Sequence, residues 1–304
     1  ITFGFPVRFT KTCLSVFHPH LVLLKMQDYS QFTHFNVSSP GEYVAHVEIN
    51  RPQKLNAFFE AMWLELGKVF DKLSHDPDVR AIVFSGAGDR AFTSGLDVQA
   101  ASEGGALSGS TGDGARAATS MRRHIDEFQE CISRIEKCEK PIICVLHGIS
   151  FGLAIDMSCC ADVRICSKDT KLAVKEVDIG IAADIGTLSR LPKVVSNISW
   201  VKDISLSARI FGADEALAAG FVSHVYGSKA ESIAAAVSWA SLVASKSPVA
   251  VQGTKELINH ARDHSVADSL RYTAIWNSAM LQTEDVKSAL LSGIKKTKPR
   301  FAKL

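Results

Sequence analysis

Residues 141–146, Pro-Ile-Ile-Cys-Val-Leu, constrain the fold more than any other stretch of this chain. An uninterrupted apolar run of this length, with β-branched residues, predicts a strand buried on both faces, as in a parallel sheet covered by helices. The run passes straight into His147-Gly148 and then, over 151–160, into small and apolar residues whose single charge is Asp156. That second segment predicts a helix. A helix opening where a buried strand ends leaves its first N–H groups unpaired and its positive dipole end at the mouth. Such a mouth can hold a developing oxyanion, with Asp156 about one turn further along. The same glycines are equally explained as a tight turn that only permits close packing.

The flanking pattern extends this unit into an α/β core. Residues 44–49 (VAHVEI) read as a strand stopped by Asn50-Arg51-Pro52. Over 57–73, Met62, Leu66, Val69, Phe70 and Leu73 recur at helical spacing. A second strand covers 79–84, a Gly- and Ser-rich loop 102–114, a long helix 115–137 and a further strand 163–166. After Gly227 the chain reads as helical to about Lys295. Strands alternating with helices predict an α/β core, and the helical last quarter a packing or oligomerisation appendage. The expected division is an N-terminal extension at 1–30, the α/β core at 31–226 and a helical region at 227–304.

Composition narrows the function classes. With 304 residues, 46% of them apolar, the chain can bury a large core, and a net charge of +2 offers no broad basic surface for nucleic acid. The seven cysteines show no CxxC pairing, which reads as reduced core thiols of an intracellular protein, not a disulfide frame or a zinc site. No apolar run approaches the ~20 residues of a membrane span. Residues 1–27 contain no acid but have Arg8, Lys11 and Lys25, a composition that suits a transit peptide or an upstream segment. The last three residues, Ala302-Lys303-Leu304, resemble the Ser-Lys-Leu peroxisomal address, or else are a frayed basic tail.

Chemistry concentrates in three segments: Ala91 to Asp97, a small-residue turn after a strand; His147 to Asp156; and Val174 to Asp184. In the third, Glu176 and Asp184 sit among apolar and small residues, where an unpaired carboxylate is costly to bury. A helix cap or a structural ion pair is the commoner fate of such an acid, and Asp178 reads as a turn residue. Gly148-Ile149-Ser150-Phe151-Gly152 also satisfies the G-x-S-x-G pattern of serine hydrolases, with Asp184 and then His224 or His260 in the right order.

At these segments the chain resembles the crotonase, or enoyl-CoA hydratase/isomerase, superfamily. The likeness runs from about Phe35 to the C-terminus. It is carried by Asn50-Arg51-Pro52 with Leu55-Asn56-Ala57, by Phe92-Thr93-Ser94-Gly95-Leu96-Asp97, by Lys140-Pro141 leading to His147-Gly148, and by Ala161-Asp162-Val163-Arg164. Residues 174–195 (VKEVDIGIAADIGTLSRLPKVV) are similar to the Δ3,5-Δ2,4-dienoyl-CoA isomerase branch, whose three acidic positions match Asp156, Glu176 and Asp184. Residues 247–252, 262–266 and 276–283 share that similarity.

The resemblance implies a spiral of ββα turns with a C-terminal helical trimerisation region, assembled as a homotrimer or homohexamer. It implies an acyl-CoA thioester as substrate, gripped at its oxygen by the N–H groups of Leu96 and Leu153, with Ser94, Gly95, Leu96, Asp97 and Val98 lining the site. The implied reaction moves a 3,5-diene to 2,4, with Glu176 as base at C2, Asp184 as acid at C6 and Asp156 orienting or polarising them. No nicotinamide, flavin, metal or other cofactor is called for. One departure stands out: Gly152-Leu153-Ala154 replaces the family's usual three glycines, so Leu153 adds bulk beside the thioester and meets a backbone conformation that glycine suits. An enoyl-CoA hydratase would use positions 156 and 176, usually both Glu, and have no use for Asp184. A serine hydrolase would use Ser150, and a non-catalytic relative would serve as a binding or scaffold subunit. Within the family, the Ala-Lys-Leu end implies a peroxisomal import receptor as partner, and the acid-free N-terminus a mitochondrial alternative.

Overall fold

The computed structural model describes residues 26–103 and 113–304. Among these residues ten strands form two sheets. They are β1 (Phe35–Gly41), β2 (Val44–Ile49), β3 (Ala81–Gly86), β4 (Ala91–Thr93), β5 (Ile142–Leu146), β6 (Ile149–Phe151), β7 (Val163–Ser167), β8 (Lys171–Ala173), β9 (Phe211–Gly212) and β10 (His224–Tyr226). The larger sheet has the order β1-β2-β3-β5-β7-β10 and the smaller β4-β6-β8-β9. Only β1 against β2 and β8 against β9 run antiparallel. The pairs β3/β4, β5/β6 and β7/β8 each step from the large sheet to the small one. Helices then return the chain, which makes the fold the expected crotonase-like spiral of ββα turns.

The central strand is the apolar run that the sequence singles out. Every residue of β5 is buried, and it lies between β3 and β7 with Ile143 opposite both Val83 and Val163. Three helices cover one face: α1 (Glu60–His75), α3 (Gly114–Lys137) and α4 (Leu153–Cys160). Short α2 (Val98–Glu103) follows β4. From α1, Met62, Leu66, Val69, Phe70 and Leu73 enter the main core at the spacing of one helical face. Helix α4 is buried at every position, so no amphipathic stripe marks it in the sequence.

Three more short helices, α5 (Thr187–Val194), α6 (Ile198–Ser207) and α7 (Ala213–Ala218), lead to β10. Four long ones follow: α8 (Lys229–Ala244), α9 (Pro248–Asp263), α10 (Val266–Met280) and α11 (Glu284–Lys295). Helix α8 lays Ala236, Ala240 and Ala244 against the other face of the large sheet, at Val83, Val145 and Ile165. Alanines at that spacing let the helix axis approach closely. In contrast, α10 buries none of its residues; its Val266, Leu270 and Ile275 are 78, 66 and 60% exposed, and Ile294 of α11 is 80% exposed.

One expected boundary moves, and one of the two readings of the tail falls. Tyr29, assigned by sequence to the N-terminal extension, is buried in the main core and donates its hydroxyl to Asp76 Oδ2 at 2.9 Å. The core therefore starts before residue 31. The tail is also not frayed: Arg80 Nη2 donates to the carbonyls of Phe301 (2.9 Å) and Ala302 (3.0 Å), and Lys303 pairs with Asp78. Residues 1–25, with Cys13 and the basic stretch, lie outside the described residues, as does the 102–114 loop apart from its two ends. The other six cysteines are unpaired, and five of them are buried.

Candidate active site

Four segments converge on one cavity of about 110 Å³. Ser94, Gly95, Leu96 and Val98 come from the turn after β4, and Gly152, Leu153 and Asp156 from the mouth of α4. Lys175, Glu176, Ile179, Ile181, Asp184 and Ile185 come from the segment after β8, and Phe128 from α3. The sequence did not mark Phe128 as part of the site. It is an ordinary core position on a helix distant in sequence, stacked on Trp63 at 3.9 Å between ring centroids.

Backbone geometry leaves the amides of two cavity-lining residues, Leu96 and Leu153, without a backbone acceptor among the described residues. Asp97 donates to the Phe58 carbonyl and Phe58 to the Gly95 carbonyl, each at 2.8 Å, so the chain bridges past Leu96 without using its N–H. Gly152 spends its own N–H on the Ala173 carbonyl at 2.9 Å. Leu153 is the first residue of α4, whose N–H has no partner within the helix. Among the described residues neither the Leu96 nor the Leu153 amide has a backbone acceptor. The two turns touch through glycine: a Cβ on Gly95 would sit 3.2 Å from the Phe151 carbonyl oxygen and 3.8 Å from the Leu153 nitrogen.

The replacement of glycine by Leu153 costs no backbone strain. The positive φ falls on Gly152, at 54°, and Leu153 is already helical. A backbone donor survives any side chain except proline. The Leu153 side chain packs into the main core at 3% exposure.

The three acids meet here with unequal surroundings. Asp156 is 2% exposed, and its Oδ1 accepts from Thr187 N–H (2.6 Å) and Thr187 Oγ1 (2.8 Å). Burial raises its pKa to about 6 against the pull of those two bonds. Glu176 is half-buried, with Oε2 lacking any hydrogen-bond partner, and Oε1 lies 3.2 Å from where a Cβ on Gly152 would stand. Burial first, then the charge of Asp156, pushes its pKa to about 7. Any side chain at position 152 would displace that carboxylate.

Asp184 departs from the expectation of a sequestered acid. It is exposed, on the lip of the cavity, and its carbonyl accepts from Gln129 Nε2 at 2.5 Å. Its apolar neighbours Ile179 and Ile181 are 56 and 41% exposed, so they form the lip and not the core. Asp97 does not line the cavity. Its carboxylate accepts from Arg51 Nη1 at 2.8 Å and from the Ala100 N–H of α2 at 3.2 Å, a structural role. The hydrolase reading fails on geometry: Ser150 is fully buried in β6 and donates to the His147 carbonyl at 3.3 Å. His224 lies on β10, and His260 of α9 is stacked on His264 just past the end of that helix; neither lines the cavity.

A sequence profile of the enoyl-CoA hydratase/isomerase family matches residues 40–303. The chain belongs to the enoyl-CoA hydratase/isomerase family. Among its relatives, the mitochondrial Δ3,5-Δ2,4-dienoyl-CoA isomerase of Mus musculus is 46% identical over 261 residues, 86% of this chain and 79% of the relative. The peroxisomal enzyme of the same name from Arabidopsis thaliana is 41% identical over 261 residues, 86% of this chain and 93% of the relative. The crystal structure of an enoyl-CoA hydratase from Bacillus anthracis superposes with a TM-score of 0.79 at 21% identity. That match covers 89% of this chain and 99% of the other, a likeness of fold.

Proposed function

We propose that this member of the enoyl-CoA hydratase/isomerase family converts 3,5-dienoyl-CoA to 2,4-dienoyl-CoA in the oxidation of unsaturated fatty acids. One observation carries the reading: three carboxylates, Asp156, Glu176 and Asp184, line a single cavity whose wall holds the unpaired amides of Leu96 and Leu153. The thioester oxygen accepts from those two amides. Glu176 takes a proton from C2, and the electron pair spreads over the dienolate to the thioester oxygen. Donors preset for that charge typically contribute ~3 kcal/mol each. Asp184 then delivers a proton to C6, and the double bonds settle at 2 and 4. Two acids are needed because C2 and C6 lie too far apart for one carboxylate.

The unequal surroundings suit the two roles. A base works best with a pKa near the working pH, which burial gives Glu176. Asp184, exposed on the lip, can be reloaded from water between turnovers. Its flanking Ile179 and Ile181 meet the acyl chain, which desolvates the acid when the substrate is seated. Asp156 holds up the proton affinity of Glu176 through its own charge.

A hydratase needs two acids about one attacking water. Here Asp156 is bound twice by Thr187, and an acid at 184 would be redundant. The direct experiment mixes purified protein with a 3,5-dienoyl-CoA and follows the ultraviolet band of the conjugated product. Rapid conversion of a 2-enoyl-CoA to its 3-hydroxyacyl product without that band would establish the hydratase instead.

Assembly and location extend the proposal. The exposed apolar residues of α10 and α11 are read as the contact between copies in a homotrimer or homohexamer, checked by the solution mass. The Ala302-Lys303-Leu304 end and the peroxisomal Arabidopsis relative support peroxisomal import through a receptor for that signal. The mitochondrial relatives support the alternative. Fluorescence of an N-terminally tagged chain, its C-terminus left free, distinguishes the two from a diffuse pattern.

A further inference from the structure

Three acids line the cavity, and the cation that lines it with them is already engaged: Lys175 Nζ donates to Asp178 Oδ2 and to the Ala208 carbonyl, both at 2.8 Å. Arg190 approaches the acids from behind. It stands on α5, about one turn after Thr187, whose N–H and hydroxyl hold Asp156. Arg190 Nε donates to Glu136 Oε2 at 3.1 Å and Nη2 to Ser133 Oγ at 2.8 Å, both on α3. Nη1 lies against Gly186, where a Cβ would collide with it while standing 3.9 Å from Asp156 Oδ1. Gly186 therefore puts no side chain between guanidinium and carboxylate. Glu136 is itself shared, because its Oε1 pairs with Arg262 on α9.

We propose that Arg190 is a positioning residue of the active site: its charge reaches Asp156 across Gly186 and keeps that carboxylate ionised in the cavity wall, while Glu136 sets how much of the charge Asp156 feels.

The physical need is plain. A carboxylate this deeply buried reverts to its neutral form unless a counter-charge and hydrogen bonds hold it ionised. Thr187 supplies the bonds and Arg190 the charge. Glu176 and Asp184 face Asp156 from the loop and oppose ionisation. On α4 the thiols of Cys159 and Cys160 face it, both pushed above their ordinary value by burial and so uncharged. From α3 comes Glu136, and from α5 Arg190. The other α5 cation, Lys193, is paired with Asp263 of α9. The consequence for catalysis rests on the isomerase reading: ionised Asp156 keeps Glu176 basic enough to take the C2 proton.

The test reads Asp156 without substrate, so it is independent of which acyl-CoA reacts. Infrared difference spectra of the full-length protein are recorded across pH, and the carboxylic C=O band that Asp156→Asn removes reports Asp156. Arg190→Gln is expected to raise the midpoint of that band by about one pH unit or more, tenfold in proton affinity. Arg190→Lys restores it, and Glu136→Gln lowers it below wild type. With 3,5-dienoyl-CoA, Arg190→Gln lowers kcat and leaves KM unchanged. An unmoved midpoint in Arg190→Gln with wild-type circular dichroism overturns the proposal. So does Arg190→Lys behaving like Arg190→Gln, or Glu136→Gln raising the midpoint. If Arg190→Gln does not fold, the Arg190→Lys and Glu136→Gln midpoints decide.

Discussion

Asp156 stands on the inner wall of the cavity, where a fully buried helix and two bonds from Thr187 hold it, and half-buried Glu176 lies against Gly152, a glycine with positive φ. Asp184 stands on the lip, among half-exposed isoleucines, its carbonyl tied to the Gln129 side chain. The inner wall has elevated proton affinities set by burial, and the lip opens on water. A reaction that removes a proton at one carbon and returns one at another has use for both: a base screened from solvent, and an acid that solvent can recharge.

The largest effect is expected at Glu176, the proposed base. Glu176→Gln is expected to lower kcat about a thousandfold, within the range general bases contribute. In D2O it also stops deuterium exchange at C2. Persisting exchange would give the base to another group. Under the proposed roles, Asp184→Asn should lower turnover about a hundredfold while C2 exchange continues, because the inner wall is untouched and only delivery at C6 is lost. If Asp184→Asn abolishes exchange as well, the two walls do not divide the work.

Smaller effects sharpen the contrast through stability. Leu153→Gly, which restores the family's usual residue, keeps the backbone donor and removes a buried side chain. It should cost about 3 kcal/mol in urea unfolding and leave kcat within about threefold. A large loss of kcat with little loss of stability would show that the side chain, not the amide, serves the substrate.

Glu176→Gln also reports on linkage. The folded carboxyl titrates at about 7, above its ordinary value of 4.5. The native state therefore binds more protons between these values, and stability falls as pH rises through that window and is flat above it. Glu176→Gln removes this slope and should be about 1 kcal/mol more stable than wild type at pH 8, allowing for the partial exposure of the group. Denaturant midpoints at pH 5 and pH 8 check the sign.

Much of this arrangement was legible in the residues. Strand 44–49 has the bounds expected from its pattern, and α3 begins one residue before the expected 115 and ends at 137 as expected. All three acids line the same cavity. The short strands β4, β6, β8 and β9 escaped notice because two or three residues carry no periodicity. Residues 179–185 misled because apolar side chains read alike whether they fill a core or rim a cleft. Phe128, Arg190 and Glu136 gave no signal, since only packing brings α3 and α5 behind α4.

The sequence by itself determined the layered core, the glycines at the two turns that line the cavity and the identity of the acids. These depend on local propensity, apolar patterning and backbone freedom, which neighbouring residues settle. Only the tertiary structure decided which acid is buried, which amides stay unpaired, that Ser150 is spent on its own backbone, and that Asp97 serves Arg51. Burial and pairing are long-range quantities: they depend on which distant segments close over a side chain, and the same aspartate is a poised acid or a solvated one accordingly.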